Sequence, residues 1–181
     1  MLNHPIGEQL LNWYQNKHDF SGDNYPQERA SISALNKLIE EILIPLQKRY
    51  GDFIISYGFT SAPLHTFIQK HSPKGTAPKL DQHASHELNR LGNSICSRGG
   101  AACDIKFQQT SALEIIRFAV GNLTFDKIYF YGENKPLHIS VHEQPLKHLQ
   151  VVKTNAKGRR IPTQKAFGHE TIELLESLYE C

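Results

Sequence analysis

The fold class this sequence predicts is α+β, with helices packed on a small antiparallel sheet. Two observations carry the prediction. Apolar residues recur at three- and four-residue steps over 31–49, and short strand-like runs follow at 101–107, 125–132, 136–142 and 148–154. Helices that precede a meander of short strands are the signature of that class. A third observation is size: 181 residues, 39% of them hydrophobic, suit one domain that buries roughly two thirds of its unfolded surface.

The elements read in order as follows. Residues 7–17 form a short helix through Leu10, Leu11 and Tyr14, and 21–31 is a loop. The strongest helix spans 31–49, with Ser31 or Ser33 as N-cap, a stripe of Leu35, Leu38, Ile39, Ile42 and Leu46, and a kink at Pro45. A strand over 52–58 ends at Gly58, and Ser61 caps the next helix. Two prolines and a glycine make 71–79 a loop. A helix over 81–92 is framed by Asp81 and Gly92, a strand runs over 101–107, and an amphipathic helix over 111–122 carries Leu113, Ile116 and Val120 on one side. The runs FDKIYFYG and PLHISVH form a hairpin around 132–135, HLQVVKT is the last strand and HETIELLESLY the last helix. The whole reads as a single domain over 1–181: an N-terminal helical extension to residue 30, a core over 31–152, and a basic flap with a C-terminal helix over 153–181.

Twenty basic and eighteen acidic residues leave a formal charge of +2, which is too balanced to argue for a polyanion partner from the total. Cys96, Cys103 and Cys181 contain no C-x-x-C pair and fit free thiols rather than a disulfide framework. No apolar run approaches a membrane span, and the first twenty residues lack the pattern of a signal peptide. The expected location is therefore the cytoplasm, with no membrane contact.

Ten histidines include several with chemically suggestive spacing. His138, Ser140 and His142 share one face of a strand, a face that could bind a metal or meet solvent. His83 and His86, three apart on the expected helix, could grip one ion or be solvated. Asp104 ends a run of small and apolar residues, Gly99 to Cys103, and a carboxylate there needs a metal, Arg98 or a backbone amide as partner. The segment 153–165 has five basic residues and no acidic one, which reads as a solvated flap or an anion-binding surface. It lacks the interleaved aromatics that favour single-stranded nucleic acid.

In chain order these pieces resemble the zinc D-alanyl-D-alanine carboxypeptidase-like family, whose fold is shared by the Hedgehog signalling domain. ISALNKLIEEILIPLQKRYG is similar to the family's long helix, and FIISYGFTSAPL to its strand and Gly-Tyr-Arg-Ser-Pro turn. GGAACDI resembles the end of its Ser-x-His-x-x-Gly-x-Ala-x-Asp signature, and FDKIYFYGENKPLHISV its closing hairpin. The resemblance covers about 31–142 and implies a Hedgehog/DD-peptidase-like fold and a zinc-dependent metallopeptidase-like hydrolase. In that family the metal leaves a fourth position for water, whose pKa falls toward about 7.

By the resemblance, Asp104 and His138 match two zinc ligands. Ser97 stands where the first ligand belongs, so that ligand is expected upstream at His83, with His86 as the alternative. Glu133, five residues before His138, is the expected general base, although Tyr131 occupies one alignment of that position. The family's carboxylate-reading Arg falls on Thr60, which leaves Arg98 to orient an anionic group, with Ser140 as a second substrate contact. The implied substrate is a peptide or related amide. The alternative is a catalytically inactive binding module whose basic surface takes an acidic protein or a nucleic acid. A third reading keeps the metal for structure alone.

Overall fold

The computed structural model of the protein describes residues 1–72 and 81–179. All but the first two residues of the loop expected at 71–79, and Cys181, lie outside them. The chain is α+β, as expected, but its sheet has six strands and is mixed.

Helix α1 (Pro5–Asn12) sends Ile6 and Leu10 into the main core, where Trp13 joins them. The long helix begins at Arg29, two residues before the expected start. It runs as α2 (Arg29–Leu38), a π turn (Ile39–Leu43) and α3 (Ile44–Tyr50). Its five expected core residues, Leu35 to Leu46, are all buried. Pro45 explains the π turn. It lacks the N–H that would bond the Glu41 carbonyl, and the ladder slips to a five-residue step, Ile44 N–H donating to Ile39 O. Neither expected serine caps this helix. Instead the buried Glu87 carboxylate accepts the Gln27 and Glu28 backbone N–H groups, at 3.1 and 3.2 Å, where the helix dipole favours negative charge.

The strands are β1 (Phe53–Tyr57), β2 (Ala101–Phe107), β3 (Lys127–Phe130), β4 (Leu137–Val141), β5 (His148–Thr154) and β6 (Arg160–Phe167). Their order is β1-β2-β4-β3-β5-β6. All neighbouring pairs are antiparallel except β3 and β5, which corrects the expected all-antiparallel sheet. Helices α4 (Ala62–His71), α5 (Ala112–Asn122) and α6 (Glu170–Tyr179) complete the order, with Ser61 and Ser111 as side-chain N-caps of α4 and α5. One sheet face, including Cys103, Ile105, Leu137, Ile139 and Val141, packs in the main core with the helices. The other face carries Asp104 and His138.

Two expectations fail for identifiable reasons. Residues 82–92 are turns and a Leu88–Ser94 bridge rather than a helix. The segment has no apolar stripe to bury, since Leu88 and Leu91 are exposed, and Gln82 and Ser85 have positive φ. Asp81 accepts the His83 N–H two residues on, closing a tight turn where a helix cap was expected. The expected flap beyond 153 contains β6, an edge strand exposed at every position but Ala166. With almost nothing buried it shows no alternation, and Pro162 is tolerated because it stands on an edge.

Candidate metal centre

Register brings the first two side chains together. Asp104 on β2 pairs directly with His138 on β4, so both point to the same face. His138 in turn pairs with Tyr129 on β3, whose ring stacks on the imidazole at 4.6 Å and 15°. Tyr57 on β1 pairs with Asp104 on the other side.

His83 arrives from the 81–100 segment and is held at two points. Its carbonyl accepts the Thr60 N–H at 3.0 Å, and its Nδ1 lies 3.2 Å from the Gly58 carbonyl, which can only accept. That bond places the proton on Nδ1 and turns the Nε2 lone pair inward. His83 Nε2 lies 3.3 Å from Asp104 Oδ1, and His138 Nδ1 lies 2.9 Å from the same oxygen. The three candidate ligand atoms lie within 4.8 Å of one another. Both imidazoles are buried, and the other nitrogen of His138, Nε2, is buried without a hydrogen-bond partner among the described residues.

With the His83 proton on Nδ1, His138 Nδ1–H can donate to Asp104 Oδ1, whereas His83 Nε2 can face that oxygen only through a second proton or a metal ion. The electrostatics agree. Burial disfavours the Asp104 carboxylate, but the His83 charge and hydrogen bonds from both histidines outweigh it and hold its pKa far below the usual range. Burial pushes His83 down, yet the charges of Asp81 and Asp104 and its hydrogen bonds to Asp104 and Gly58 leave it raised. Tyr129 is pushed up to about 12, chiefly by burial. Two nitrogens and one carboxylate oxygen form a donor set of the kind zinc takes.

The structure thus groups His83, Asp104 and His138 and leaves the other candidate residues elsewhere. His86 packs beneath Gly99, and its Nε2 accepts the Gly100 N–H at 2.9 Å. A side chain at Gly99 would overlap that ring, and one at Gly100, at φ +97, would overlap the Val141 carbonyl. Ser97 is exposed. Arg98 is committed to the buried Asp126, Nε and Nη2 each donating at 2.8 Å, so it is not available to a substrate. The buried Ser140 hydroxyl accepts the Lys127 N–H at 3.1 Å and belongs to the β3–β4 pairing. Glu133 is exposed in the hairpin turn, where it lines a pocket with Ile105, Lys106, Phe107 and Leu137, and it is not part of the cluster. Asp81 accepts the His83 N–H, and its charge favours a protonated His83.

Two contributors escaped the sequence reading, and a third, Gln82, stood out there only as the neighbour of His83. Tyr57 lies edge-on to His83 at 4.5 Å, with Trp13 against its other side at 3.9 Å. Tyr129 could be placed on the His138 face only with the β3–β4 register in hand. Gln82 has positive φ and donates to Gly99 O at 2.6 Å, tying the His83 turn to the glycine pair.

Compared with known proteins, the chain matches no family model, no curated protein and no solved structure.

Proposed function

We propose that His83, Asp104 and His138 hold one zinc ion and that the chain is a divergent zinc-dependent hydrolase of the D-alanyl-D-alanine carboxypeptidase-like type, with the Hedgehog/DD-peptidase-like arrangement of helices and sheet. The observation that carries this reading is the arrival of His83, from a turn fourteen residues upstream of Ser97, at the oxygen shared with His138. A histidine missing from its expected position is supplied from another in space.

Zinc held there would act as a Lewis acid and lower the pKa of a coordinated water toward about 7. The chain's own residues do the rest. Gly58 fixes the His83 tautomer, Tyr129 packs the His138 ring, and the 20% exposure of the Asp104 side chain marks the side from which a peptide or related amide would enter. With Glu133 outside the cluster, Asp81, which accepts the His83 N–H and whose charge acts on His83, is the carboxylate assigned to handle protons there.

The test is zinc content by elemental mass spectrometry on purified, tag-free protein. One zinc per chain is expected in wild type and in His86→Ala, and none in His83→Ala or Asp104→Ala. A wild type that stays empty after refolding with zinc would overturn the reading. It would favour the second one, a binding module whose basic β5–β6 ribbon takes an acidic partner. Stoichiometric zinc with no hydrolysis of any peptide or amide substrate would leave the metal a structural role.

A further inference from the structure

The cluster lies on a boundary. On one side of it, the 81–100 segment is tied to the sheet through the Arg98–Asp126 pair and the Gln82 amide, which donates to the Val141 carbonyl of β4. On the other side the face is open. Lys106, two residues beyond Asp104, is exposed, as is Ile54, its partner on β1. Across β4, Tyr131 follows Tyr129 at the alternate position. At the outer edge the backbone pairs Thr154 with Arg160, which puts Arg160 past the end of β3.

Arg160 is held in place. Its guanidinium carbon lies 4.4 Å from the centroid of the Tyr131 ring. Tyr131 lies two residues beyond Tyr129, whose ring stacks on His138, so it continues the row from the cluster toward the guanidinium. Among the described residues Arg160 makes no ion pair and no side-chain hydrogen bond, and no acidic residue occurs anywhere from Gln144 to His169. Positive charge on an exposed edge strand also guards against edge-to-edge pairing. That explains Lys153 and Lys165 well enough, but it does not require one guanidinium to be laid on an aromatic ring beside the open strip.

We propose that Arg160, positioned by Tyr131, forms an anion subsite that takes a carboxylate or phosphate group of the molecule bound at the metal centre. A guanidinium steadied by a ring and lacking an acceptor of its own presents a planar fork that matches two oxygens of such a group. The proposal rests on the zinc reading for what lies next to the subsite. The anion binding itself is a property of the metal-free chain.

The experiment follows the backbone amide resonances of Tyr131 and Ile161 in metal-free, 15N-labelled protein during titration with inorganic phosphate and, separately, acetate. Saturable shifts are expected in wild type, weakened about tenfold in Arg160→Lys, where the bidentate fork is lost, and unchanged in Lys157→Gln at the ribbon tip. Acetate saturating as well as phosphate would assign a carboxylate, and phosphate alone a phosphoryl group. No saturable shift with either anion, or equal weakening in Lys157→Gln, would overturn the proposal. Zinc content measured on the same proteins separates the two ideas. A chain that binds phosphate at Arg160 but no zinc keeps the subsite and loses the metal reading, and Arg160→Lys should retain zinc as wild type does.

Discussion

Arg98 and Arg160 occupy the two halves of one sheet face and do opposite things there. Arg98, in the covered half, grips a fully buried carboxylate through two 2.8 Å bonds and receives no freedom to meet a ligand. Arg160, in the open half, is exposed and lies on Tyr131 with its donors turned to solvent. The difference shows why a basic residue near a site is not thereby a ligand-binding residue. What decides is whether the fold has already given it a partner.

The comparison can be broken hardest at Asp126. Asp126→Asn leaves the Arg98 guanidinium without its counter-charge and should lower stability by about 3–5 kcal/mol in urea unfolding, the range for breaking a buried pair from one side. That loss should depend on pH in a stated direction. Burial opposes the Asp126 carboxylate, but its bonds from Arg98 and the Leu146 N–H prevail and depress its pKa. A carboxylate with a depressed folded pKa contributes stability that is complete above its unfolded value, about 3.9, and fades as pH falls through the folded value. The gap between wild type and Asp126→Asn should therefore narrow below about pH 4. A gap independent of pH would mean that packing rather than charge holds the covered half.

The next largest effect is expected at the glycine pair that closes the covered half. Gly100→Ala meets a positive φ and the Val141 carbonyl together and should cost about 2–4 kcal/mol, read as a lower thermal midpoint. At the boundary itself, zinc at a hundred times its Kd should add about 2.7 kcal/mol to wild type and nothing to His83→Ala, measured by the same melts. The smallest effect belongs to the open half. Arg160→Gln should change stability by less than about 0.5 kcal/mol, because no buried partner is orphaned. A large loss there would show that the stack on Tyr131 holds the ribbon to the sheet and would erase the contrast with Arg98.

Parts of this arrangement were legible in the sequence because they are local. The stripe from Leu35 to Leu46, the cap at Ser61, the helix that starts after Ser111, the β2 strand over 101–107 and the hairpin turn at 132–135 follow from periodicity and turn chemistry, which act over a few residues. His83 could be named because a metal-ligating set needs a histidine somewhere, and a Gln-His pair stood upstream. The expected helix around it was wrong, since a stretch with charged and polar residues on every side has nothing to anchor it, and its backbone bonds go instead to turns and the Leu88–Ser94 bridge.

The sequence by itself determined the helices, most of the strands and the chemical types that meet at the centre, because those depend on side-chain pattern and local backbone preference. Tertiary structure decided who meets whom. Strand register set Asp104 against His138 and Tyr129 and ran β5 parallel to β3. Two positive-φ turns and two glycines carried His83 to the cluster and kept His86 from it. Ion pairing consumed Arg98 and left Arg160 available. Each of these outcomes depends on distances between residues far apart in the chain, where a one-residue change in register reverses the face a side chain serves.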